Sequence, residues 1–265
     1  MEQGIVLLTP PDTDRDYPQE LVDLITVVED RHFWFATRND VILSTLRRVL
    51  RPFAGTRVLD VGCGTGFVMS ALEDAGLVAS GIDMHLTGLK RARTRVRGAL
   101  FSSTATTLPF FPDFDVVTLL DVIEHVDDDV GVLAEARRVL VPRGYVVVTV
   151  PAGPELWTAY DEVIGHKRRY VRETLVGALQ AAGLDVYDVR YFNSPLLLAA
   201  SVSRRTGRGE VAETRDTIEI VRRALRVPPA PLNALLRWSV RLEAPLRRFR
   251  WMRGGSLIAV AQRTD

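Results

Sequence analysis

The nine residues Val58 to Gly66, Val-Leu-Asp-Val-Gly-Cys-Gly-Thr-Gly, constrain this chain more than any other stretch. Val58, Leu59 and Val61 make a short apolar run of the buried-strand kind, and a glycine cluster ends it. Phe67 to Ala75 follow with helical spacing, and Gly76 supplies a stop. Strand, glycine-rich turn and helix form the first half of a βαβ nucleotide-binding unit. Gly62 and Gly64 can take backbone angles that side chains forbid, so a ligand can approach the main chain there. Gly66 lets the helix pack against the strand and leaves its first N–H groups open to an acceptor. The pattern is not the dinucleotide fingerprint, whose third glycine would fall on Phe67. Asp60, two residues before the first glycine, suits an ammonium better than a pyrophosphate.

S-adenosylmethionine carries an ammonium, a carboxylate and a sulfonium but no phosphate. On these residues the chain resembles the class I S-adenosylmethionine-dependent methyltransferases, whose first motif reads Asp-x-Gly-x-Gly-x-Gly. Val78 to Ile82 reads as a second strand ending at Asp83, twenty-one residues past Gly62. A carboxylate there can accept from both ribose hydroxyls, and Met84 is placed to pack on an adenine face. Leu108-Pro109-Phe110 and the run Phe114-Asp115-Val116-Val117 to Glu124-His125 resemble two further family motifs. The family places an acid after the third strand for the adenine amino group. Thr104 stands there, beside Ala105, so a hydroxyl or main-chain carbonyl has to substitute. The resemblance spans residues 29 to 192, and its narrower form is to the small-molecule branch that includes the ubiquinone and menaquinone methyltransferases.

A chain of 265 residues suits one domain with insertions, or one domain with a small subdomain. A net charge of +1 gives no argument for nucleic acid, and the Asn- or Asp-Pro-Pro-aromatic signature of nucleic-acid methyltransferases is missing after Leu120. The one cysteine, Cys63, is a small filler in the glycine turn and fits a reducing compartment. With no run long enough to span a bilayer and no signal-peptide pattern, a cytoplasmic location is expected.

The fold expected is α/β: a Rossmann-like, seven-stranded, mostly parallel sheet with an antiparallel last strand, an N-terminal helical cap and a helical insertion before that strand. Residues 1–50 are assigned to a loose arm (1–16) and the cap, and 51–192 to the S-adenosylmethionine-binding core. Residues 193–254 form the insertion, a candidate lid, and 255–265 the final strand. In the cap, helices are read at Leu21 to Glu29 and Asn39 to Leu50, with an aromatic cluster, Phe33-Trp34-Phe35, between them. The resemblance implies that this region lies over the cofactor, which brings Trp34 and Arg38 to the pocket. A strand is read at Tyr145 to Val150 after a turn at Pro142-Arg143-Gly144.

In an open parallel sheet, ligands lie at the carboxyl ends of the strands. Asp60, Asp83, Leu120 and Asp121 fall at such ends and, with Gly62, Gly64, Gly66, Met84, Thr104 and Ala105, make the cofactor set. Methyl transfer asks the protein to align nucleophile, methyl and sulfur and to remove a proton from a hydroxyl or amine. Asp121, Glu124 and His125 could do this after the fourth strand. In quinone O-methyltransferases such a pattern can hold a divalent cation, but three local ligands do not complete a sphere and no metal is expected. Tyr160, His166, Arg168, Arg169 and Tyr170 follow the fifth strand, where the family builds its acceptor pocket. His125 and His166 are competing bases.

The insertion carries apolar stretches at Pro195 to Val202, Ile218 to Leu225 and Leu232 to Leu246, among many arginines. Contact with an anionic membrane is open but ranks below helices packed on the sheet. The reading is methyl transfer to a small molecule, an apolar one among the candidates, with oxygen slightly favoured over nitrogen or carbon. The alternatives are a cofactor-binding scaffold without catalysis and, further back, a nicotinamide-dependent oxidoreductase.

Overall fold

A computed structural model describes residues 4–8, 19–193, 217–243 and 253–265. Eight strands form one sheet: β1 (Ile5–Leu7), β2 (Arg57–Val61), β3 (Val78–Asp83), β4 (Leu100–Ser102), β5 (Phe114–Leu120), β6 (Leu140–Pro151), β7 (Asp185–Phe192) and β8 (Ser256–Gln262), in the order β1-β4-β3-β2-β5-β6-β8-β7. β1 to β6 pair in parallel, and β8 runs antiparallel between β6 and β7.

The central strands are continuous apolar runs because both faces are covered. Leu59, Val117 and Val148 pack on one face with α5 (Asp129–Val139) and α7 (Arg172–Ala181). Val58, Val116 and Val147 take the other, with α2 (Phe33–Val49), α3 (Phe67–Asp74) and α4 (Leu86–Ala92).

The sheet differs from the seven-stranded expectation by one strand. Ile5–Leu7, read as part of a loose arm, pairs in parallel with β4, and Ile5 is fully buried. Three residues are too few for a period to show, yet they cover an edge that would otherwise be unpaired. Residues 9–16 of that arm lie outside the described residues. Two further boundaries moved. α2 begins at Phe33, not Asn39, because His32 caps it: its Nδ1 accepts the Trp34 N–H at 3.1 Å. Histidine is not among the usual N-cap residues, so the aromatic cluster read as a linker when it is the first turn of the helix. The expected turn at Pro142–Gly144 lies inside β6, where Arg143 takes φ +66° and the pairing with β5 shifts register.

Two helices of the insertion are described, α8 (Thr217–Ala224) and α9 (Ala230–Glu243); Pro195 to Val202 and residues 244–252 lie outside the described residues. α9 packs on α2, and α8 packs on α6 (Ala159–Val163), the short helix after β6. Asn233 joins α9 to the start of α2 by accepting the Phe33 N–H at 2.9 Å and donating to the Arg31 carbonyl at 2.8 Å.

Candidate active site

From β2 the chain winds outward through β3 and β4, then crosses back to β5 on the other side of β2. The carboxyl ends of β2 and β5 therefore flank the switch in strand order, where such sheets leave a crevice. Side-chain alternation along β2 puts Asp60 on the face of Val58, opposite Thr118 in the register. The Asp60 carboxyl is 2% exposed and accepts from Thr118 Oγ1 at 2.7 Å. Burial raises its pKa to about 6, against the hydrogen bond from Thr118 and the attraction of Arg38.

The glycine loop closes tightly over this end of the sheet. The Gly62 and Cys63 N–H groups both donate to the Ile82 carbonyl, at 2.7 and 3.1 Å. Gly62 has φ +76°, and a Cβ there would stand 2.4 Å from Val122 Cγ2, so neither the angle nor the space admits a side chain. Gly64, with φ +52°, faces open space among the described residues, where a Cβ would meet nothing within 4 Å. Gly66 serves a different contact from the one expected. Its Cβ position faces Ala92 and Val96, so it sets α3 against α4 rather than against the strand.

Asp83 bridges loop and strand: Oδ2 accepts the Gly64 N–H and Oδ1 the His85 N–H, each at 2.8 Å. Met84 follows with 38% of its surface exposed. Thr104, half-buried beyond β4, has its hydroxyl 3.0 Å from that of Thr106, and Ala105 packs at the rim of the core. Leu120 is buried at the end of β5, and its carbonyl accepts from Arg38 Nη2 at 3.0 Å. The Arg38 guanidinium also lies over the Trp34 ring, 5.3 Å from its centroid. The structure thus brings these cofactor candidates to one end of the sheet.

Asp121 joins this cluster to the next. It takes φ +58°, a left-handed conformation rare for a residue with a side chain and common at functional sites. Its Oδ1 accepts from Thr149 Oγ1 at 3.1 Å, and Oδ2 lies 3.2 Å from Arg38 Nε without hydrogen-bond alignment. Glu124 is fully buried, and among the described residues neither carboxyl oxygen has a hydrogen-bond partner. Burial first, then the charge of Asp121, pushes its pKa well above the ordinary carboxylate range.

The segment after β6 comes back onto these residues. His166 stacks edge-on against His125, with ring centroids 4.7 Å apart, and its Nε2 is 3.9 Å from Glu124 Oε1. Its Nδ1 is 2.8 Å from Asp161 Oδ1. Asp161 is fully buried and its acceptor sites are filled. Arg169 donates to both oxygens, at 2.8 and 2.9 Å, and Thr158 donates its N–H and hydroxyl to Oδ2. Burial alone would raise its pKa, but the hydrogen bonds of His166 and Arg169 outweigh it and hold the group well below the usual range. An ionised carboxylate only accepts, so His166 Nδ1 is the donor and Nε2 is left as the basic nitrogen. His125 differs: burial, then the neighbouring His166, lowers its pKa to about 4.

The other acceptor-side candidates separate. Tyr160 is half-buried on α6. Arg168 braces the loop after β5, donating to the Val126 and Asp127 carbonyls and pairing with Asp129 at 3.1 Å. Tyr170 is 2% exposed and donates its hydroxyl to Asp129 at 2.6 Å, which places it in the core rather than on an acceptor surface. Burial raises its pKa. Its place in the sequence beside Arg169 masks a strand-like bridge that turns it inward.

One cluster was not legible in the sequence. Glu29, 9% exposed, accepts from Thr65 Oγ1 at 2.6 Å and from Arg95 at 2.8 Å, and Arg95 lies over the Phe67 ring. It ties α1 (Gln19–Glu29) to the glycine loop. No spacing could have announced it, because thirty-six residues separate acid and hydroxyl.

An ammonium-bearing ligand without phosphates fits these features: a buried carboxyl at the switch point, an open face above Gly64, and a second carboxylate one strand over. Comparison with known proteins agrees. A methyltransferase domain family matches residues 59–148. The chain is 37% identical over 102 residues to a ubiquinone biosynthesis O-methyltransferase of Thiobacillus denitrificans, across 36% of this chain and 44% of that one. It is 31% identical over 160 residues to the enzyme of that name from Pseudomonas aeruginosa, across 51% and 67%. The chain thus spans less than half the length of the first relative and about two thirds of the second. Among solved structures, the Haemonchus contortus phosphoethanolamine N-methyltransferase 2 with S-adenosyl-L-methionine superposes with a TM-score of 0.56 at 19% identity, over 86% of this chain and 52% of that one. The [4+2]-cyclase SpnF superposes at 0.58 and 18%, over 92% and 93%. At such identities the superpositions speak for the fold alone. Fold, motif order and sequence identity together make this chain a member of the class I S-adenosylmethionine-dependent methyltransferases.

Proposed function

We propose that the chain methylates a hydroxyl oxygen of a small, largely apolar aromatic acceptor, with His166 as the general base. The observation that carries this is the buried Asp161–His166 pair, which pins Nδ1 and turns Nε2 toward Glu124. Bound S-adenosylmethionine supplies a methyl group on a positive sulfur, so the protein's remaining task is alignment and proton removal. As the new oxygen–carbon bond forms and the sulfur–carbon bond breaks, the hydroxyl proton passes to His166 Nε2. The imidazolium is then stabilised by the ionised Asp161. His125, with its pKa near 4, stays neutral and serves as a wall of the site. The relatives' names, which place them in ubiquinone biosynthesis, support a hydroxylated ring as acceptor.

On the cofactor side, Asp60 is assigned to the ammonium, Asp83 to the ribose and Met84 to the adenine. Gly62, Gly64 and Gly66 shape the loop, Arg38 and Trp34 cover the pocket, and Thr104, Ala105, Leu120 and Asp121 line it. Asp83→Ala is expected to weaken S-adenosylmethionine binding by about 1–3 kcal/mol, the cost of unpaired buried partners. Calorimetric titration checks this, and an unchanged Kd would remove Asp83 from the ribose site.

A second reading rests on one feature, the two unpartnered oxygens of Glu124. One ligand atom each from Glu124, His125 and His166 lies within 4.8 Å of the others, so these residues could hold a divalent cation. Such an ion would lower the pKa of an acceptor hydroxyl by coordination. The test of both is transfer of labelled methyl to simple catechols, to phenols bearing an alkyl chain and to aromatic amines. Transfer that survives chelation supports the base reading, transfer restored only by a divalent cation supports the second, and label on amines alone overturns both.

A further inference from the structure

Asn233 uses both ends of its amide on a segment 200 residues earlier in the chain. Oδ1 accepts the Phe33 N–H at 2.9 Å, and Nδ2 donates to the Arg31 carbonyl at 2.8 Å. A carboxamide presents donor and acceptor side by side, which a carboxylate or an apolar side chain cannot. Asn233 stands in the first turn of α9, and its own N–H donates to the Pro229 carbonyl at 2.9 Å. The amide is therefore held by a helix. What it grips is the weak point of α2, because the first N–H groups of a helix have no partner inside it. His32 satisfies the N–H of Trp34, and Asn233 satisfies that of Phe33.

The groups assigned to the cofactor cover rest on that turn. Trp34 is the second residue of α2, and Arg38 follows one turn later, its guanidinium over the Trp34 ring as residues four apart on a helix can meet. From there Arg38 reaches the Leu120 carbonyl at 3.0 Å and lies 3.2 Å from Asp121. A chain of direct contacts thus runs from the insertion through Phe33, Trp34 and Arg38 to the end of β5. The other described helix of the insertion bears on the site too. α8 packs on α6, which carries Asp161, and Arg222 stands 3.9 Å from Glu20 of α1.

We infer that Asn233 is a positioning residue: it docks the first turn of α2, keeps Trp34 and Arg38 over the cofactor pocket, and so lets the insertion set the affinity for S-adenosylmethionine. The inference rests on the assignment of Trp34 and Arg38 to the cover. Two states of the turn suffice, docked and frayed. Only the docked state closes the pocket, so the apparent affinity scales with the fraction of molecules in it. Two hydrogen bonds of ordinary net strength shift the docked-to-frayed ratio by roughly 30-fold. By reciprocity, a bound ligand must dock the turn again.

The test is Asn233→Ala in the full chain, read by calorimetric titration with S-adenosylmethionine and by amide hydrogen exchange over residues 33–38, with Trp34→Ala beside it. The Kd of Asn233→Ala is expected to rise about tenfold. Its exchange over 33–38 should be faster than the parent's without ligand and parent-like at saturation. Asn233→Asp keeps the acceptor for the Phe33 N–H and loses the donor, so it should show a smaller rise in Kd, and it carries the test if the alanine variant does not fold. A lower Tm with an unchanged Kd would make Asn233 a structural tie only and overturn the inference, as would fast exchange that the ligand does not reverse. Trp34→Ala separates the two assignments. Weak binding there beside normal binding in Asn233→Ala sinks the inference alone, whereas normal binding in Trp34→Ala removes the cover and the inference with it.

Discussion

His166→Ala is expected to lower kcat by about 10²–10⁴-fold, the range that positioned general bases contribute. The Kd for S-adenosylmethionine should stay within about twofold, since none of the ligand-facing groups around Asp60 and Asp83 touches His166. A loss this size could come from damage to the site, so the acceptor is the second variable. A phenol that ionises on its own near neutral pH needs no base, and with such acceptors the variant should recover most of its rate. It should also show a rate that climbs with pH as the acceptor deprotonates in solution. A loss equal for all acceptors would mean that His166 shapes the pocket and moves no proton. His125→Ala provides the contrast, because a ring with a pKa near 4 is a weak base at pH 7 and its loss should alter packing more than the proton step.

Sequence could not choose between these two histidines, and the reason is physical. His125 lies between Glu124 and the run Asp127 to Asp129, and His166 between Asp161-Glu162 and the run Lys167 to Arg169, so each is a lone imidazole among charged residues. What separates them is which acid reaches which ring nitrogen, and that depends on α6 folding back so that Asp161, five residues before His166, meets its Nδ1. The capping pair of Thr158 and Asp161 that starts α6 also aims the carboxylate. The cofactor end was far more legible. Asp60, Gly62 and Asp83 announced themselves because a strand, a turn and the next strand end are local patterns, and parallel pairing then sets them side by side. Tyr170 shows the opposite failure: proximity in sequence to Arg169 suggested a shared surface, yet its ring turns into the core. The edge strand at Ile5–Leu7 and the Glu29–Thr65–Arg95 cluster depend wholly on distant partners, so no window of sequence holds their signal.

Asp60→Asn should separate stability from binding, moving them in opposite directions. In the protein without ligand, burial holds the Asp60 carboxyl at about pH 6, above the ordinary 3.8. A raised carboxyl pKa favours the protonated folded form, so this group's contribution to stability falls as pH rises from about 4 through 6 and is level above that. The difference is of order 3 kcal/mol, from about two pKa units at 1.36 kcal/mol each. Asn carries no charge to bury and can still accept from Thr118, so at pH 7.5 the ligand-free variant should melt above the parent, with the gap closing near pH 4. Binding follows the reverse sign. An ammonium draws on the ionised carboxylate, so below pH 6 each binding event must expel a proton, and the parent's affinity should fall by about tenfold per pH unit. The variant, with nothing to ionise, should bind with a flat pH profile and about 10²-fold more weakly at pH 7.5, as expected for a buried charge left without its partner. Titration calorimetry in two buffers of different ionisation enthalpy reads the expelled proton directly. A parent affinity that does not change between pH 5 and pH 7 would mean that the ammonium is met elsewhere, with Asp60 serving the sheet through Thr118 alone.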